Sequence, residues 1–322
     1  MGAGRACGLL SLEMTHASAP GKIILFGEHA VVYGRPALAV PVTQVHADIE
    51  IRDSSRAGIW IDAPDIDLHA ELNTLPSDHP IASVIHNFLF LARVSPFPNL
   101  GINITSTIPV ASGLGSGAAV TVALTRALAS HLNHPLTDEE VNAFTYEIEK
   151  LHHGTPSGID NTVVTYAKPV YFIKGQLMET FKVGKPFTIA IGDTGIHAPT
   201  RESVGDVRKL WEADNEKWEG VFDEVGEIAK RAREAIEGGD AKELGGLMDQ
   251  NHALLREMTV SSPELDRLVS AAREAGATGA KLSGGGRGGN MIALTEADQA
   301  ESVSRALTAA GARHVIMTTI ED

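Results

Sequence analysis

Glycine in this chain is concentrated at two points, and those points restrict the backbone more than any other feature. The 322 residues include 32 glycines. Three of them fall within 113–117 and five within 284–289. The first cluster closes the run Pro109-Val-Ala-Ser-Gly-Leu-Gly-Ser-Gly117, which follows a strand-like stretch, Leu100–Thr105. An Ala-, Leu- and Val-rich helical segment, Ala118–Leu132, comes directly after it. Gly115, Ser116 and Gly117 therefore stand at a helix N-terminus, where backbone N–H groups lack intrahelical partners and attract anions. A tight strand-to-helix turn without a ligand is the alternative at this point. The second cluster contains a formal G-x-G-x-x-G match, Gly284, Gly286 and Gly289. A dinucleotide-binding loop must open a helix. Here a strand, Met291–Leu294, follows, so that reading fails and a hairpin turn is preferred. A Walker A loop fails too: the Gly-Lys pairs at 21–22 and 184–185 lack both the upstream glycine and the following Ser or Thr.

Charge narrows the partners. Lys and Arg number 27 against 41 Asp and Glu, a net charge of −14. Nucleic acid and anionic membranes require a positive field, so neither is an expected partner. A small phosphate-bearing ligand, which responds to local donors, is not excluded. The single cysteine, Cys7, forbids an intrachain disulfide or a multi-cysteine zinc site, and a cytoplasmic location is the simplest expectation. The longest apolar stretch, Ile81–Ala92, is broken by His86 and Asn87 and is too short to span a bilayer. Residues 1–13 lack the apolar core of a signal peptide, and Ala6 stands where myristoylation wants Ser or Thr. They read as a disordered leader or an alternative start, with the patterned chain beginning near Met14.

The length suggests two domains. Gly175, Gly184 and Pro186 lie between the strand patterns Val170–Ile173 and Phe187–Ile191, so the boundary is set near 185, giving 14–185 and 186–322. The first part carries strands at Lys22–Phe26, Val45–Arg52 and Ile59–Asp62 and a helix at Ile81–Arg93. Thr137 and Glu140 form a capping box for a helix over Asp138–Leu151. A turn-rich stretch, His152–Asn161, follows. The second part is mostly helical to Ala275, with Ser262-Pro263 as one helix start. Strands at Gly279–Leu282, Met291–Leu294 and His314–Thr319 and a helix from about Glu296 complete it. Lys22, Glu28, His29, Glu149 and Asp160 are the polar candidates. Glu149 stands near a helix C-terminus, where the dipole disfavours it. His152-His153 does not make a metal pair, because adjacent helical residues cannot both face one ion.

Taken in order, Pro20-Gly-Lys22, Pro109–Ala118 and Lys281-Leu-Ser-Gly-Gly-Gly-Arg-Gly-Gly289 resemble the three motifs of the GHMP kinase family. The likeness spans nearly the whole chain from residue 18. Ala19–Gly34 and the stretch Glu149-Lys-Leu-His-His-Gly-Thr-Pro-Ser-Gly-Ile-Asp-Asn161 are similar to the branch of that family acting on mevalonate. Three departures stand out: Gly117 for a second serine, Gly285 for alanine, and Arg287 at a position often small. Arg287 is the one expected to alter phosphate contacts or nucleotide affinity.

The resemblance implies an α+β fold of two domains, the first like ribosomal S5 domain 2 and the second ferredoxin-like, with the site in the cleft between them. It implies ATP-dependent phosphorylation of the mevalonate 5-hydroxyl, in isoprenoid precursor synthesis. Pro109, Ser112, Gly113, Leu114, Gly115, Ser116, Gly117 and Ala118 would hold the ATP phosphates. Ser116 and Glu149 would hold Mg²⁺, a hard ion that wants oxygen ligands. Asp160 would take the hydroxyl proton, and Lys22 would stabilise negative charge beside it. Glu28, His29, Thr200, Gly284 and Gly285 would line the acceptor pocket with Lys22 and Asp160. A homodimer is a family habit with no interface legible here. The alternatives are a family member acting on phosphomevalonate, another mevalonate hydroxyl or a sugar, and a non-catalytic binding protein of the same fold.

Overall fold

A computed structural model describes residues 14–109, 112–153, 157–197 and 200–321. The leader at 1–13 and parts of two motif segments, 110–111 and 154–156, lie outside the described residues. Two long antiparallel strands organise the first half, β1 (Thr15–Phe26) and β2 (Ala37–Asp53). From Val45 onward β2 alternates buried and half-exposed residues, the period of a sheet with one covered face. Ala37–Val42 are buried without alternation. There Ala37 and Ala39 pack on a small core with Ile159 and Val163, while Leu38 and Val40 enter the main core. Pro41 within β2 sits close to a register shift in the β1–β2 pairing, a place where a strand proline is tolerated.

The first sheet adds β3 (Ile59–Ala63), β4 (Leu68–Glu71), β5 (Leu100–Ser106), β6 (Val170–Phe172) and β7 (Glu179–Thr180) in the order β4-β3-β5-β2-β6-β7, with β1 also on β2. Among the described residues only β3–β5 is parallel. Helices α1 (Pro80–Leu91), α2 (Ser116–His131), α3 (Asp138–His153) and α4 (Ile159–Tyr166) accompany this sheet. Ala118, Ala119, Ala123 and Ala127 are buried, and these small side chains let α2 lie close on β1 and β2. The capping box is formed: Glu140 accepts from the Thr137 N–H at 2.8 Å, and Thr137 Oγ1 accepts from the Glu140 N–H.

The second sheet holds β8 (Phe187–Asp193), β9 (Gly279–Ser283), β10 (Asn290–Thr295) and β11 (His314–Ile320) in the order β11-β8-β10-β9, antiparallel throughout. Numbered within this half, that is 4-1-3-2, the ferredoxin-like arrangement. Helices α5 (Thr200–Ala213), α6 (Asn215–Gly238), α7 (Ala241–Glu257) and α8 (Pro263–Glu274) fall between β8 and β9, and α9 (Ala300–Ala309) between β10 and β11. Ser262 caps α8 by accepting from the Leu265 N–H at 3.3 Å. The halves meet where β9 touches β1 and β11 touches β2, which brings both glycine loops to one place. No helix among the described residues is long and apolar enough to cross a membrane.

Candidate active site

The first loop is bound to the start of the first sheet. The Lys22 N–H donates to the Leu114 carbonyl at 2.9 Å, so β1 and the loop run side by side. Gly115 is the N-cap of α2, with φ 75°, and no side chain caps the helix. The N–H groups of its first turn are thereby left for a ligand. Gly115 also has a neighbour that demands glycine. A Cβ there would lie 2.8 Å from Lys22 Cγ, because the lysine stem crosses directly over the loop.

That crossing aims the ammonium. Lys22 Nζ lies 3.0 Å from Asp160 Oδ1, with the lysine side chain 7% exposed and the aspartate 38%. Asp160 occupies the first turn of α4, whose N-cap, Gly158, has φ 86°. Glu149, in the last turns of α3, comes to the same place from the other side. Its Oε1 would be 3.8 Å from a Cβ on Gly117. The side chains of Leu114 and Ala118 are buried in the core, so their share in holding an anion is limited to the backbone.

The second loop is the β9–β10 hairpin, closed where Ser283 pairs with Asn290. It is joined to the first loop by Asn290, whose Nδ2 donates to the Ser112 carbonyl. Ser112 Oγ in turn donates to the Pro109 carbonyl at 2.8 Å. A cavity of about 130 Å³ opens between the loops, lined by Ile24, Ser112, Gly113, Thr200, Gly284 and Gly285 among others. Thr200 lies hard against the hairpin: a Cβ on Gly285 would stand 2.9 Å from its Oγ1. Glycine in place of the usual alanine lets α5 come this close. A second, mainly apolar cavity of about 230 Å³ adjoins Ser116 and Gly117, with Ile66, Pro80, Ile108 and Val120 in its wall.

His29 and Glu28 follow the end of β1, and both are buried. The His29 ring nitrogen Nε2 lies 3.2 Å from the Gly285 carbonyl. Burial pushes the imidazole down to about 4, with Arg287 and Lys281 adding to the effect and the Gly285 bond opposing it. His29 therefore stays neutral near pH 7. His252, buried behind β9, is likewise lowered to about 4, chiefly by burial. An unfolded histidine titrates near 6.5, so between 6.5 and 4 the unfolded chain binds protons the native one does not. Stability present above pH 6.5 is lost as the pH falls towards 4. Denaturant unfolding at pH 7 and pH 5 should differ by about 2 kcal/mol for each such histidine. His29→Asn should remove its share of that slope; an unchanged slope would contradict the assignment.

All the candidate residues converge here, from Lys22 and Asp160 through the first loop to His29, Thr200 and the hairpin. Arg287 is turned elsewhere. Its Nη1 donates to Asp206 Oδ2 at 2.6 Å and its Nε to the Thr259 carbonyl at 3.4 Å, so it ties the hairpin to α5 and to the chain after α7. Sequence reasoning missed Lys281, Asn290 and the apolar cavity. The alternation Lys281-x-Ser283 on one strand was the available signal for the first of these.

Comparisons with known proteins place the fold and the family. The family model described as GHMP kinases N terminal domain matches residues 81–168, and that described as GHMP kinases C terminal matches 232–313. A protein from Thermococcus sibiricus named mevalonate kinase is 37% identical, over 93% of this chain and 94% of that one. One from Saccharolobus solfataricus with the same name is 33% identical, over 87% and 90%. The crystal structure of L. major mevalonate kinase in complex with R-mevalonate superposes with a TM-score of 0.86 at 30% identity, covering 97% of this chain and 98% of that one. A Lactococcus lactis galactokinase complexed with galactose, at 20% identity and a TM-score of 0.75, shares the fold.

Proposed function

Because this chain belongs to the GHMP kinase family, we propose that it transfers the γ-phosphoryl group of ATP to the 5-hydroxyl of mevalonate, giving 5-phosphomevalonate and ADP. The observation that carries this reading is the Lys22–Asp160 pair, 3.0 Å apart, with the lysine stem laid across the N-cap of α2. A proton acceptor, a cation and a ring of backbone donors thus share one small volume. Relatives named for the same activity, at up to 37% identity over nearly the full length, support the choice of mevalonate over other acceptors.

Phosphoryl transfer is mostly a matter of position and charge. The backbone N–H groups of Gly113–Gly117 receive the ATP phosphates, and the apolar cavity beside Ser116 suits the adenine base. Glu28, His29, Thr200, Gly284 and Gly285 border the acceptor. The mevalonate oxygen attacks the γ-phosphorus as the bond to the β-phosphate oxygen breaks. Its proton passes to the Asp160 carboxylate, and Lys22 offsets the negative charge gathered there.

Magnesium fits the residues present. Ser116 Oγ and the Glu149 carboxylate are hard oxygen donors, and Glu149 Oε1 would lie 3.8 Å from a Cβ on Gly117, the residue next to Ser116. Among the described residues no cluster of three or more His, Cys, Asp or Glu could hold a metal. Mg²⁺ beside a triphosphate commonly uses only one or two carboxylates, with phosphate oxygens completing the set. When bound, the ion would neutralise phosphate charge. The reading also carries a cytoplasmic location, which the lone cysteine supports, and the family's homodimer, which sedimentation would measure directly.

The test is ADP release with mevalonate, phosphomevalonate or galactose as acceptor, followed by phosphorus NMR of the product. Turnover with mevalonate and a phosphate on the 5-oxygen are expected. Robust turnover of galactose without mevalonate would overturn the proposal.

A further inference from the structure

The chemistry just described makes no use of Lys281, although this lysine is the most completely buried charge in the region. Its side chain is 0% exposed and that of its partner Glu28 1%. Nζ donates to Glu28 Oε1 and, at 2.7 Å, to the Leu282 carbonyl. Two residues along the same face of β9, Ser283 Oγ donates to the Ile24 carbonyl at 2.7 Å. The Lys-x-Ser spacing is therefore a two-point contact. One face of a strand in the second sheet grips the end of β1 in the first.

Stability alone is a poor reason for such a pair. Removing two charges from water costs about what their attraction returns, and a well-packed apolar pair often serves as well or better. What the ion pair does differently is leave one carboxylate oxygen of Glu28 without a partner. Glu28 Oε2 is buried and has no partner among the described residues. On the next residue, His29 Nδ1 is also buried and unpaired. Each of these side chains is anchored through its other polar atom to the second half of the chain, Glu28 to Lys281 and His29 to Gly285. Buried polar atoms are rarely left without partners, and where they are a ligand or an ion is a common reason. The neighbours Ile24, Ser283 and Gly285 line the cavity between the loops.

We propose that Lys281 is a positioning residue for the acceptor substrate. It holds one oxygen of Glu28 and thereby fixes the other, Oε2, as a hydrogen-bond acceptor for an acceptor hydroxyl. It also balances the Glu28 charge, so that an acceptor bearing its own carboxylate meets a neutral pair and not a bare anion. Burial lowers the Lys281 ammonium, and the Glu28 carboxylate beside it opposes that shift. The inference rests on the reading of Glu28 and His29 as acceptor-pocket residues.

Three variants test it: Glu28→Gln, Lys281→Met, and the two together. Each is measured for kcat, for KM with mevalonate and with ATP, and for thermal unfolding. Glu28→Gln and Lys281→Met should each raise the mevalonate KM about tenfold or more, with the ATP KM moved less than about threefold. The double variant should be no worse than the poorer single one, because both act through one contact. Its Tm should exceed that of Lys281→Met, which leaves a carboxylate buried alone. A Lys281→Met enzyme with the wild-type mevalonate KM, beside a Glu28→Gln enzyme whose KM is raised, would overturn the role given to Lys281. A wild-type KM in Glu28→Gln would instead overturn the underlying reading of Glu28. If Lys281→Met does not fold, Lys281→Gln, which is polar but one bond shorter and uncharged and so cannot hold Glu28 at the same point, takes its place. The same KM split is then expected, and a wild-type mevalonate KM would sink the inference.

Discussion

Asp160→Asn should leave ATP bound at close to its normal affinity and lower kcat by about 10²- to 10⁴-fold, the usual range for loss of a general base. The substitution changes little in shape. Asn can still accept from Lys22 Nζ, which lies 3.0 Å from Oδ1 in the native protein. It sits at the first turn of α4 and does not line the apolar cavity beside Ser116 that suits the adenine base. What it lacks is a site for the mevalonate proton. Phosphoryl transfer through a loose transition state acidifies the attacking hydroxyl late, so a weak base suffices, but some base is still required. Nucleotide titration and steady-state ADP release separate the two effects. A kcat within about tenfold of wild type would show that Asp160 only orients the acceptor, because orientation by a neutral amide would survive the change.

The helix carrying Asp160 was the element least legible in the sequence. The run from His152 to Asn161 reads as turns, and its Gly and Pro residues justify that locally. Yet α4 begins at Ile159, immediately after Gly158. It has only eight residues, five of them the β-branched Ile159, Thr162, Val163, Val164 and Thr165, which are indifferent helix formers. What holds it is burial: Ile159 and Val163 pack with Ala37, Ala39, Val170 and Phe172 from β2 and β6. No local pattern encodes that contact. The same reason hid Lys281, whose partner Glu28 is 253 positions away. A lysine on a strand normally reads as a solvated side chain, and only the fold reveals it enclosed.

Features with local causes were legible. Gly115 needs a positive φ, a demand set by the strand-to-helix turn itself, whereas the crowding by Lys22 comes from a distant part of the chain. The Thr137–Glu140 box and the Ser262 cap are each closed by contacts three residues apart. Arg287 lies between these cases. Its backbone is in the left-handed region at φ 59°, which explains why the position is often small. Its side chain is directed by Asp206, on a helix the local sequence does not link to it. The expectation that it alters phosphate contacts came from the family motif, and the tertiary ion pair holds its side chain against α5.

Lys22→Met should lower kcat by about 10²- to 10³-fold, the range for removing one preorganised donor from developing negative charge. Methionine keeps an unbranched stem of similar length, so packing over Gly115 survives and only the ammonium is lost. Arginine would not be a milder choice: the lysine carbons already lie where a Cβ on Gly115 would come within 2.8 Å, and a planar guanidinium needs more width. The ammonium is almost enclosed, at 7% exposure, so water cannot readily take its place beside Asp160. Lys22 and Asp160 act on the same proton and the same charge, which makes their losses non-additive. The double variant Lys22→Met/Asp160→Asn should therefore turn over about as slowly as the worse single variant. If the two losses multiply instead, the residues serve separate steps. The 3.0 Å pair would then be a structural salt bridge with Lys22 acting elsewhere along the phosphates.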